Sequence, residues 1–152
     1  MSSKRLSARV PSAKKICVAY LEGHQLRFHK RGRDESAKCD AHYTGNADHF
    51  VIGVMFEIPA TAKHALDGIE GPGYEDKRVS VLTDGGKIVD AFTYVATHID
   101  KSMKPFHWYK EHVLIGAREH RLPDNYISSI ETIDCIEDSD LTRIEFERSV
   151  YL

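Results

Sequence analysis

The sequence predicts an α+β fold, in which a small antiparallel or mixed β-barrel is flanked by helices. Three observations point there. Short apolar runs of period two, broken by Gly-bearing turns, dominate residues 15–96. A single helical stretch, 60–70, interrupts them, and helical spacing takes over after Pro105. The 152 residues, 41% hydrophobic and 29% charged, suffice for one buried core. One domain spanning 1–152 is therefore expected, with 135–152 as a C-terminal extension of weaker signal.

Residues 15–21 and 24–30 read as two strands of a hairpin turned at Glu22-Gly23. Residues 31–38 are polar and contain Gly32, which reads as a mobile loop. A short strand at 39–43, a Gly45-Asn46 turn and a strand at 50–58 make a second hairpin. Pro59 ends that strand and starts the helix 60–70, which Gly71-Pro72-Gly73 terminates. Residues 77–83 and 87–96 form a third hairpin around Asp84-Gly85-Gly86. Residues 106–119 and 124–134 read as helices hinged at Arg121-Leu122-Pro123.

Composition excludes several classes. Cys17, Cys39 and Cys135 form no disulfide framework, which fits a reducing, cytoplasmic setting. The longest apolar run, 50–56, is far too short to span a bilayer, and no signal-peptide layout opens the sequence. A net charge of -2 gives no global argument for nucleic acid or an anionic membrane as partner. The charge is unevenly placed: nine bases against one acid in residues 1–33, seven acids against two bases in 131–152. The basic stretch reads as a solvated face paired with the acidic tail or with water, a basic interaction arm being the alternative.

Among candidate chemical groups, Glu70 sits at the end of a helix, where free carbonyls disfavour a carboxylate, and such a group is suited to acid/base work. On spacing alone it also reads as an ordinary helix end with a glycine cap. Cys39-x-x-His42, with Asp40 and His49 near, has ligand-like spacing but no second pair to complete a tetrahedron, so no metal is expected. Phe106-His107-Trp108-Tyr109 would either line a pocket or anchor a helix in the core. Phosphate loops, nucleophile elbows and dinucleotide fingerprints are absent.

Several segments, in order, resemble the γ-glutamylcyclotransferases, a group that includes γ-glutamylamine cyclotransferases and AIG2-like proteins. They are Arg9-Val10-Pro11-Ser12-Ala13, residues 52–58, Leu66-Asp67-Gly68-Ile69-Glu70-Gly71 with Tyr74, Ala91-Phe92-Thr93-Tyr94, and residues 109–117 with Leu122-Pro123 and Tyr126. The resemblance implies a closed or nearly closed barrel holding a polar pocket, and a cofactor-independent conversion of a small γ-glutamyl compound to 5-oxoproline plus an amino acid or amine. It implies Glu70 as proton-transfer residue, with Tyr74, Tyr94, Tyr109 and Gly71 binding substrate. The family's first strand, ending in Tyr-Gly-Ser-Asn, has no counterpart here, since Met1-Ser2-Ser3-Lys4-Arg5-Leu6 is similar to the family's segment immediately after that motif. A chain folding without that strand would expose a sheet edge and either pair with a second copy through it or be markedly less stable. The alternative is a non-catalytic small-molecule-binding protein of the same fold.

Overall fold

Strand β1 (Lys14–Glu22) is apolar on both sides of its pleat, and the computed structural model, which describes residues 2–152, covers both. Val18 and Tyr20 pack on a cluster of Ile52, Leu114, Ala117, Leu122 and Ile130, whereas Ala19 and Leu21 pack with Val81 on the other face. Successive strand side chains point to opposite faces, so a strand covered twice requires an unbroken apolar run. β1 accordingly lies inside a four-stranded sheet, between β4 (Phe50–Glu57) and β5 (Tyr74–Thr83), with β6 (Ile88–Ala96) beyond β5. Strands β2 (His24–Arg31) and β3 (Ala37–Tyr43) form a separate pair, and every ladder is antiparallel.

The predicted hairpin between 15–21 and 24–30 does not form. Only Gly23 separates β1 from β2, which is too short for the two strands to fold back on each other. Gly23 instead bends the chain at φ 73°, donating its N–H to His49 C=O at 2.7 Å and accepting Thr44 N–H at 2.8 Å. β1 and β2 continue one another across this corner, as β3 and β4 do across residues 44–49. His24 thus pairs with Tyr43 and Glu22 with Phe50, so the predicted second hairpin of 39–43 with 50–58 is replaced as well. The third hairpin forms as predicted around Gly86 at φ 78°.

The two sheets curl towards each other as a half-barrel. The Ala96 N–H donates to Asp40 Oδ1 at 2.8 Å, Arg31 N–H to His98 C=O at 2.9 Å, and Asp100 N–H to His29 C=O at 2.8 Å. The barrel is curved as expected but open, because side-chain and loop bonds rather than a ladder join β3 to β6.

Helix α2 (Ala60–Glu70) lies where predicted, and α3 (His107–Glu119) and α4 (Asp124–Glu131) cover the Ile52 cluster. Helix α1 (Ser3–Arg9), which the sequence did not signal, is capped by the Ser2 hydroxyl. Helix α5 (Leu141–Ser149) begins on the Asp140 cap and is tied to α3 through Asp138. That carboxylate accepts Trp108 Nε1–H at 2.8 Å and Arg143 Nε–H at 2.6 Å, and the Arg143 guanidinium holds it far below the usual carboxylate range. Among the described residues, no helix is long and apolar enough to cross a membrane.

Candidate functional site

Helix α2 ends on Glu70 because Gly71 takes φ 67° and gives its N–H to Asp67 C=O at 3.0 Å. Gly73, at φ 95°, then turns the chain so that Tyr74 opens β5 three residues earlier than the apolar pattern indicates. Glu70 and Tyr74 thereby face one cavity of about 500 Å³, closed by α1, the end of β2, the start of β3 and the Trp108–His112 turn of α3. The Glu70 carboxylate stands at its wall, its side chain 25% exposed, with Arg9 Nη1 3.4 Å from Oε1. The helix end that disfavours its charge thus faces a cation that favours it.

Tyr109 also lines this cavity. Its hydroxyl accepts the Cys39 N–H at 3.0 Å, while the Tyr74 hydroxyl donates to the Cys39 carbonyl. The two phenols thus clamp β3 at Cys39, and burial pushes both well above their ordinary range, so they serve as neutral hydroxyls. Burial also pushes the Cys39 thiol up to about 12, which excludes it as a nucleophile at neutral pH.

Tyr94 is not brought to this cavity. It lies in a separate, more apolar cavity of about 480 Å³ in the curl of the sheet, and its hydroxyl donates to Asp67 Oδ1 at 2.5 Å, one helical turn before Glu70. Gly71 gives its only donor to α2, so it shapes the helix end rather than binding a ligand through its N–H.

The loop after β2, expected to be mobile, is an ordered wall of the cavity. Asp34 accepts Ser36 N–H at 3.1 Å, Ser36 O–H at 2.9 Å and Lys38 Nζ–H at 2.6 Å, and Ser36 is fully buried. Burial would raise the Asp34 carboxyl, yet the Lys38 ammonium and the Ser36 donors hold it below the usual range. Lys38 in turn sits over the rings of Trp108 and Tyr109, at 4.9 and 4.6 Å. The loop is polar in sequence because its polar groups satisfy one another.

Charge is where the sequence was least legible. The basic excess of residues 1–33 is no uniform solvated face: Arg5, Arg9, Lys30 and Arg33 all converge on the cavity. The expected pairing with the acidic tail does occur between Arg5 and Glu147 at 2.5 Å. There the His112 ring and the Arg5 guanidinium hold Glu147 down to about 2 against its burial. A cluster of bases near sequence-distant apolar turns was the only available signal.

Strand alternation separates Cys39 from Asp40 and His42 of the candidate Cys39-x-x-His42 cluster. Cys39 points to the cavity, while Asp40 and His42 meet His29, the extra residue of a β-bulge between Phe28 and Lys30. Donor atoms of His29, Asp40 and His42 lie within 4.8 Å of one another, so they are the residues that could hold a cation. Both Asp40 oxygens are already engaged, Oδ2 with His29 Nε2 at 2.7 Å and Oδ1 with Ala96 N–H, and burial and His29, with Arg27 and Lys101, oppose positive charge at His42. Dialysed protein is therefore expected to carry no stoichiometric zinc, and chelator to leave its melting temperature unchanged. Metal retained at one equivalent, checked by elemental analysis, would overturn this.

A family model described as the AIG2-like family matches residues 50–130. Gamma-glutamylcyclotransferase of Homo sapiens is 30% identical over 141 residues, which cover 87% of this chain and 73% of that protein. The chain belongs to the γ-glutamylcyclotransferase-like family. The Mus musculus protein of the same name is 28% identical over the same length. Among solved structures, an uncharacterized protein from Homo sapiens superposes with TM-score 0.86 at 25% identity, covering 99% of this chain and 92% of that one. A gamma-glutamyl cyclotransferase superposes with TM-score 0.84 at 24% identity, covering 97% and 92%, and establishes the common fold. The half-barrel and the Glu70 cavity are thus features of a chain in a family that includes gamma-glutamylcyclotransferases.

Proposed function

We propose that this chain converts a small γ-glutamyl amino acid or γ-glutamyl amine to 5-oxoproline and the free amino acid or amine. The observation that carries the reading is the carboxylate of Glu70 on the wall of a cavity of about 500 Å³, a size suited to a compound of this kind. Membership of the family supports the reaction type.

Glu70 accepts a proton from the substrate's α-ammonium. The freed amine attacks its own γ-carbonyl carbon, forming the ring C–N bond, and the C–N bond to the leaving amine then breaks. Over the cycle the α-nitrogen gives up two protons and the leaving nitrogen takes up two, so one carboxylate serves as base and then as acid. Because the nucleophile and the carbonyl belong to one molecule, the site's main task is to hold the substrate folded. The clamp of Tyr74 and Tyr109 on Cys39 fixes the wall against which that happens. The helix end of α2 and the Arg9 guanidinium together set the direction of the Glu70 carboxylate.

Incubating the purified chain with a γ-glutamyl amino acid and a γ-glutamyl amine is expected to release 5-oxoproline, measured by mass spectrometry, from at least one of them. Binding without release would favour a non-catalytic binding protein of the same fold.

A further inference from the structure

Five Lys and Arg side chains and three carboxylates line the Glu70 cavity. The carboxylates each take one cation: Arg5 pairs with Glu147 at 2.5 Å, Arg9 with Glu70 at 3.4 Å and Lys38 with Asp34 at 2.6 Å. Lys30 and Arg33 remain without an acidic partner among the described residues. Arg33 is exposed at the rim, its guanidinium beside Gly71. Lys30 is different, because it is only 5% exposed. Its ammonium sits over the Tyr74 ring, 4.6 Å from the centroid, and makes no ion pair and no side-chain hydrogen bond among the described residues.

The body of the residue is buried while its ammonium opens onto the cavity, so it presents a cation with no carboxylate against it to whatever enters there. The Tyr74 face stabilises that cation only in part. Burial pushes the lysine below its ordinary range, with the Glu70 charge pulling it back and Arg33 adding to the depression. The position is held by the backbone: the end of β2 is fixed between β3 and the Ile99 bridge, and Gly73 leaves room for the stem. A Cβ at Gly73 would stand 2.9 Å from Lys30 Cε and 3.3 Å from Nζ, so that glycine is what lets the lysine pass beneath the loop. Two cations of the cavity thus lack a carboxylate, and Lys30 is the one that belongs to a buried residue and feels the Glu70 charge.

We infer that Lys30 binds the α-carboxylate of the glutamyl moiety, making it the residue that selects substrates with that carboxylate free. This rests on the cyclotransferase reading above for the identity of the ligand. With the carboxylate on Lys30, the adjoining α-ammonium lies on the same side of the cavity as Glu70, its proton acceptor. Blocking the carboxylate as an ester or amide removes that charge and leaves the lysine ammonium without a carboxylate again.

The test compares 5-oxoproline with pyrrolidin-2-one, the same ring without the carboxylate, by calorimetry on the full chain. Wild type is expected to bind 5-oxoproline at least about tenfold more tightly, and Lys30→Met and Lys30→Gln to bring the two ligands within about twofold. With a γ-glutamyl amino acid, both variants are expected to raise KM by about tenfold or more and to change kcat far less. Circular dichroism checks their folding. If neither folds, the wild-type preference itself decides: it should fade as pH rises into the lysine range, whereas a carboxylate held by Arg33 would not respond. No preference in wild type, or a preference kept by either folded variant, overturns the assignment. Wild type that prefers 5-oxoproline through Lys30 yet releases none from γ-glutamyl substrates refutes the cyclotransferase reading and leaves the Lys30 assignment standing.

Discussion

Replacing Glu70 by glutamine is expected to lower the rate of 5-oxoproline release by about two orders of magnitude or more, at an unchanged melting temperature. Glutamine keeps the shape and one carbonyl acceptor for Arg9 Nη1, which lies 3.4 Å from the carboxylate, but it cannot take up the α-ammonium proton. The side chain is 25% exposed and at the end of its helix, so the fold does not depend on its charge. Loss of activity with retained stability would separate a chemical role from a structural one. A variant that releases product at the parental rate would remove Glu70 from the mechanism and with it the reading of the cavity.

The largest stability effect is expected at Asp40, which is 3% exposed. Its two oxygens hold His29 Nε2 at 2.7 Å and the Ala96 N–H at 2.8 Å, and so join the β2–β3 pair to β6 where no ladder does. Asp40→Ala leaves the buried His29 ring nitrogen and the part-buried Ala96 N–H without this acceptor. Leaving a buried donor unsatisfied costs about 1–3 kcal/mol for each group, a large part of the stability of an ordinary domain when two are lost together. Asp40→Asn, which keeps an oxygen for one donor, should lose markedly less. Urea unfolding of the three proteins measures both. An Asp40→Ala variant within about 1 kcal/mol of the parent would show that the half-barrel is held by apolar contacts alone.

Helix α2 illustrates what was readable in sequence. Its bounds, Ala60–Glu70, follow from Pro59 and Gly71, residues whose backbone preferences act on their immediate neighbours. The β5–β6 hairpin was readable for the same reason, since its turn fixes its own register. These local signals placed Glu70 at a helix end and, with the family resemblance, singled it out. Tyr74 and Tyr109 were also brought to the cavity, whereas Tyr94 was carried to the other one by the direction of its strand, which the alternation of β6 alone did not distinguish.

Strand partners were decided by tertiary structure. Alternation tells which residues share a face, but β1 finds β4 and β2 finds β3 across intervening chain, and no local pattern encodes that choice. The same holds for charge. Sequence alone determined that residues 1–33 are rich in bases; only folding decided which of them meet a carboxylate and which, like Lys30, are buried without one. An ion pair depends on distance and on the loss of water around it, and both are set by where the chain packs rather than by the order of its residues.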